Sequence, residues 1–290
     1  MTGTYRLQHP LKGVLFFIAA IFLISVVDTT CKIYTRDLHS VQLVWGYFLG
    51  INITLWIFFL SKGVRIPQLT KTKRPFLQTA RPAFLVCSIS TLFVGLTYLP
   101  IAEATAIGFM APLFITALSV PILKEKVGIH RWAAVGVGLL GVLIIVRPGG
   151  DLWHWASIMP VLGALFFAVF QIVTRLLSAT EETYTTLFYT GAGGLGWSSL
   201  IVPFFWTPPS FVHWGIFVGT GIMGAAAHLC MISAFNRAEA SLLAPYNYSK
   251  LIWVAVLGYL VFGDIPGLEM WVGATIIVAA GFYVLYRERA

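Results

Sequence analysis

Charge is what this sequence has least of. Asp, Glu, Lys and Arg make up 10% of its 290 residues, against roughly a quarter in ordinary soluble domains. So few charges cannot clothe a soluble fold, and the 58% of hydrophobic residues must face a solvent other than water. Cysteine is scarce too. Cys31, Cys87 and Cys230 fall inside apolar segments without metal-ligand spacing, so they read as small packing residues and leave the redox compartment open. Catalytic signatures are missing: there is no H-E-x-x-H, no G-x-S-x-G and no P-loop, and nothing points to an enzyme, a metal or a cofactor. Gly136, Gly138 and Gly141 do spell G-x-G-x-x-G. No strand precedes them, so close helix packing is their expected use. Gly215, Gly219 and Gly224 invite the same reading.

What the chain does have is a succession of apolar runs near the 20 or so residues that carry a helix across a bilayer. Breaks at charged or Pro/Gly-rich positions divide it into ten expected spans: 13–34, 41–60, 82–99, 102–123, 131–146, 152–175, 184–205, 211–235, 241–262 and 268–286. The expected class is an all-α polytopic membrane protein. The formal charge of +8 does not mark a nucleic-acid partner, because the basic residues lie in loops between apolar runs and read as topology signals. With the N-terminus in the cytoplasm, fifteen of the nineteen lysines and arginines fall inside, three fall outside, and Lys250 lies within a span. Both termini are then cytoplasmic. Asp264 and Glu269 come to an outer loop, where they are expected to be solvated.

The chain repeats itself. Ala102-Glu103-Ala104-Thr105 recurs as Ala238-Glu239-Ala240-Ser241 at an offset of 136, and Glu125, Gly128 and Trp132 recur as Asp264, Gly267 and Trp271 at an offset of 139. Asp28 and Lys32 find weaker counterparts in Gln171 and Arg175. The expected division is 13–147 and 152–286, five helices each. An odd number of spans forces the halves into opposite orientations, as in inverted-repeat transporters.

At these residues the sequence resembles the drug/metabolite transporter superfamily, and within it the ten-helix EamA-type transporters. The resemblance rests on the Ala-Glu-Ala-Thr entry to the fourth span, Pro112 within it, the Leu-Lys-Glu-Lys-x-Gly turn at 123–128, Arg131-Trp132, and a glycine-rich fifth span ending in Arg147-Pro148. The second half answers with Ala-Pro-Tyr at 244–246 and Phe-Gly-Asp at 262–264. It implies a ten-helix bundle with a central cavity, alternating access, export of a small metabolite and a bacterial inner membrane. The spacing of Tyr246 and Tyr248 resembles a branch that includes S-adenosylmethionine carriers, but Lys250 stands where that branch tends to have an acid. The expected substrate is a zwitterion or organic anion, such as an amino acid or an opine-type metallophore. An uptake carrier for an S-adenosylmethionine- or nucleoside-like metabolite is the alternative. No nucleic-acid partner is expected, and a monomer or homodimer remains open.

Lys250 lies near the middle of its expected span, and intramembrane charges face a cavity or a partner. It reads as the counter-ion of a substrate carboxylate or as half of a structural pair with Asp28. Asp28 has its own two readings: Lys32 four residues on neutralises it along one helical face, or it titrates and couples protons to transport. Pro245, Tyr246, Asn247 and Tyr248 come just before Lys250. The proline frees a backbone carbonyl, which membranes tolerate only beside protein or water, and the tyrosine rings there suit substrate stacking as well as an interfacial belt. Gln171, His228, Tyr98 and Trp253 complete the candidate lining, with packing as their plainer role.

Overall fold

A computed structural model describes residues 10–64, 66–123, 129–147, 154–178, 180–235, 237, 246 and 248–289. Among these residues every regular element is helical. Spans one and two are α1 (Pro10–Tyr34) and α2 (Ser40–Ser61), followed by a short helix, α3 (Ile66–Thr70). His39 starts α2 by accepting the Val41 amide on its ring nitrogen, satisfying one of the donors that a helix start leaves orphaned.

The third span, α4 (Pro75–Tyr98), starts earlier than expected. Pro75 sits at the helix start, where its missing N–H is no loss, and Pro82 lies inside the helix. Arg81, assigned to an inner loop by sequence, is therefore a buried residue of the span.

The fourth span is broken into α5 (Ile101–Gly108) and α6 (Ala111–Leu123). Pro112 has no amide to offer the Gly108 carbonyl, so the chain turns at Phe109–Met110 and the Leu113 and Phe114 amides restart on the Met110 carbonyl at 2.9 and 3.0 Å. Span five is α7 (Ile129–Val146). A 3-10 turn (Trp155–Ser157) leads into span six, α8 (Ile158–Ser178). Then come α9 (Thr183–Ile201) and α10 (Phe211–Phe235). The ninth span is α11 (Ser249–Phe262), closed by Gly263 in the left-handed region at φ 72°, a conformation that needs glycine. The expected start of that span, including Pro245 and Asn247, lies outside the described residues. Span ten is α12 (Leu268–Arg289).

Five helices are long and apolar enough to cross a membrane by themselves: α1, α2, α4, α8 with its leading turn, and α10. Large hydrophobics such as Ile57, Leu140, Ile222 and Leu260 stay exposed on the outside of the bundle, as lipid contact requires.

Packing runs mainly between the halves. Span one lies on spans eight and nine, span two on seven and eight, span three on six and seven, span four on six and nine, and span five on ten. Exchange spans one to five with six to ten and this pattern maps onto itself. The tightest approaches use glycine. A methyl group on Gly141 would meet the Gly273 carbonyl at 2.8 Å, so α7 and α12 touch through backbone, and Gly50 and Gly221 do the same for α2 and α10. Of the glycines expected to pack, Gly224 lies against the Tyr47 ring, while Gly136, Gly215 and Gly219 face open space. Gly141→Leu is expected to destabilise the protein by about 1–3 kcal/mol, the usual penalty for forcing bulk into a packed contact. Thermal unfolding in detergent measures this, with Gly219→Leu as the control that changes little.

Candidate functional site

Lys250 is the second residue of α11, roughly 18 Å along the helix from its C-terminal end at 1.5 Å per residue, about half the thickness of a bilayer. Its ammonium lies 2.8 Å from Oδ2 of Asp28 on α1. The contact is an ion pair without hydrogen-bond alignment, since that oxygen has no hydrogen-bond partner among the described residues. The side chains keep 21% and 11% of their surface, so the pair is shielded but not sealed.

Lys32 does not neutralise Asp28. It turns to the end of the bundle where α1 and α4 finish, donating to Oδ2 of Asp264 at 3.2 Å and to the Leu99 carbonyl at 3.1 Å, with its ammonium 4.6 Å from the centre of the Phe262 ring. Leu99 caps α4, and a cation beside that carbonyl answers the negative end of the helix. Helical spacing made Lys32 the natural partner of Asp28, but α1 packs against α11, and both charges on this face reach across to the second half. Asp264 is therefore paired rather than simply solvated. So is Glu269, which meets Arg147 at 2.6 Å.

Two residues before Lys250, Tyr248 joins an aromatic group. Phe109, at the break in span four, meets the Tyr248 ring edge-on with centroids 5.2 Å apart, and Tyr248 meets Phe282 of α12 at 5.4 Å. The interruption in span four thus faces the start of α11. Tyr246 precedes it, 37% exposed. Trp253, one turn beyond Lys250, sets its ring edge-on to Phe22 at 5.1 Å and packs with the Phe17–Ile21 cluster. Its observed contacts are packing against α1.

The other candidates do not join this group. Tyr98 is 57% exposed at the C-terminal end of α4, where its ring lies against His154 and Trp155 at 5.9 and 5.0 Å. That is an interfacial setting. Gln171 is exposed on α8 rather than buried. His228 on α10 lies within electrostatic reach of Arg81. The proton-coupling role expected of Asp28 competes with its ion pair to Lys250.

Sequence reading missed Arg81. It is 2% exposed and donates to Oγ1 of Thr174 on α8 at 2.9 Å, to the Thr186 carbonyl at 2.9 Å, and to the Thr190 hydroxyl on α9. Its guanidinium lies 4.8 Å from the centre of the Phe170 ring. One side chain of the first half thereby ties two helices of the second. Reading Pro75 as the proline that opens the third span, instead of Pro82, would have placed Arg81 two turns inside it.

The profile of the EamA-like transporter family matches the chain twice, over residues 11–147 and 154–286. The chain belongs to the EamA-like transporter family. It is 27% identical to an S-adenosylmethionine uptake transporter of Rickettsia prowazekii, over 98% of this chain and 95% of that one. A riboflavin transporter of Vibrio cholerae is 28% identical over 97% and 95%, and a pseudopaline exporter of Pseudomonas aeruginosa is 26% identical over 93% and 94%. These family members move small metabolites, and the chain is a membrane transporter rather than an enzyme.

Proposed function

We propose that the chain is a secondary carrier for an amino-acid-derived metabolite that presents a carboxylate beside an ammonium group. Its two halves, 13–147 and 152–286, lie in opposite orientations and give alternating access, with both termini in the cytoplasm. The observation that carries this reading is the Asp28–Lys250 pair, two opposite charges 2.8 Å apart at mid-depth and partly accessible. A zwitterionic head suits it: the carboxylate goes to Lys250 and the ammonium to Asp28, and the net charge of the site is zero before and after. The rings of Phe109, Tyr248 and Phe282 offer faces and edges to the rest of the molecule.

This chemistry discriminates among the molecules named for the relatives. S-adenosylmethionine has an amino-acid head and an aromatic base. Riboflavin has no carboxylate, so Lys250 has nothing to pair with in it. Export, implied by the family resemblance, and uptake both occur in the relatives' names, and the ion pair serves either direction.

The test is counterflow of labelled S-adenosylmethionine in proteoliposomes. S-adenosylhomocysteine and methionine, which keep the head, are expected to compete. Adenosine and riboflavin, which lack it, are expected not to. Riboflavin competing as well as S-adenosylhomocysteine would overturn the reading. Accumulation or loss of label in cells expressing the protein then gives the direction.

A further inference from the structure

Every carrier that releases its cargo must bring an empty site back across the membrane, or else exchange one cargo molecule for another. An empty site with a lone charge at mid-depth crosses slowly, because the charge has neither water nor a partner there. In this protein Lys250 is not alone: the carboxylate of Asp28 meets it at 2.8 Å. The other cation on the same face of α1 is engaged elsewhere, since Lys32 holds Asp264 and the Leu99 carbonyl. Asp28 and Lys250 are thus left to neutralise each other.

We propose that Asp28 stands in for the cargo's carboxylate whenever the site is empty, so that the unloaded carrier crosses and the protein runs net flux rather than obligatory exchange. This rests on the reading that Lys250 binds the substrate carboxylate. On loading, the cargo carboxylate displaces Asp28 from Lys250 and the cargo ammonium takes the place of Lys250 at Asp28. On release the two side chains close on each other. No bond is made or broken and no charge is left over in either state. The pair keeps 21% and 11% of its side-chain surface, so cargo groups can approach both charges.

Asp28 then both binds the cargo ammonium and neutralises the empty site, and the second role shows as a difference between the two legs of the cycle. Proteoliposomes loaded with labelled S-adenosylhomocysteine, a zwitterion without the sulfonium charge of S-adenosylmethionine, are diluted into buffer with or without the unlabelled compound, giving exchange and net efflux in one experiment. For the wild type, the two rates are expected to agree within about threefold, because a neutral site crosses loaded or empty. Asp28→Asn leaves Lys250 unpaired in the empty site, whereas labelled 4-(methylthio)butanoate, a carboxylate with no ammonium that would need Asp28, neutralises it on loading, so with that probe the variant's ratio of exchange to net efflux is expected to exceed the wild-type ratio at least about tenfold, the factor that a moderate barrier difference imposes. Asp28→Glu is expected to restore the wild-type ratio.

A structural role for Asp28 would lower both rates by the same factor and leave the ratio unchanged, which overturns the proposal. So does a wild type that releases label only when substrate is present outside, and that measurement stands even if Asp28→Asn fails to fold. Lys250→Ala separates the levels: if it transports normally, or if the wild type does not carry the probe at all, the underlying reading falls and takes this inference with it. If Lys250→Ala is inactive while the Asp28→Asn ratio does not move, the binding role survives and the stand-in role does not.

Discussion

Lys250→Ala is expected to reduce counterflow about a hundredfold, the effect of losing one charge-assisted contact to a bound carboxylate in a shielded site. The variant also leaves Asp28 as an unpaired carboxylate with 11% of its side chain exposed, and stripping one partner from a buried pair typically destabilises by about 3–5 kcal/mol. Lost transport alone would therefore not separate a binding role from a folding defect. The double variant Lys250→Met with Asp28→Asn does. Replacing both partners with neutral groups of similar size is often neutral for stability, so its thermal unfolding is expected to lie close to that of the wild type while transport stays absent. A stable double variant that still carries substrate would show the pair to be structural.

Arg81→Ala is expected to lower stability by about 3 kcal/mol, read as a drop in the unfolding midpoint in detergent. Two effects oppose each other here. Removing a buried guanidinium relieves its desolvation penalty. Against that, hydrogen bonds to a charged donor contribute about 1.5–3 kcal/mol each, and this side chain makes three, to Thr174, Thr186 and Thr190, besides covering the Phe170 ring. Three bonds and lost packing outweigh one desolvated cation. Arg81→Lys is expected to be nearly as damaging, because a point-charge ammonium does not reproduce a planar fork aimed at acceptors on two helices. Unchanged or raised stability in Arg81→Ala would mean that desolvation dominates and that the residue is retained for transport instead.

The ten spans were legible because lipid imposes a length and a composition that one chain displays without help from its neighbours. Helix ends were less so where proline sat: Pro82 looks like a start by itself, and only tertiary burial of Arg81 shows the helix running past it. The site was legible in its members, since Lys250, Asp28 and Tyr248 are conspicuous for being polar at depth. Its pairings were not. Asp28 and Lys32 obey the four-residue rule of an isolated helix, yet the structure joins each to the second half, at Lys250 and Asp264. Local spacing names the neighbours available on one helix, and packing between helices chooses among them. Gln171 and Tyr98 mislead for the same reason, because a polar residue in a span reveals its depth but not the direction it faces.

The exchange symmetry of the helix contacts has a consequence for biogenesis. Gly50 needs Gly221, Gly141 needs Gly273, and Arg81 needs hydroxyls from α8 and α9, so the first five helices have few companions among themselves. Spans six to nine supply the partners of the first four, and the tenth supplies that of the fifth, so the bundle is complete only once the second half has been made.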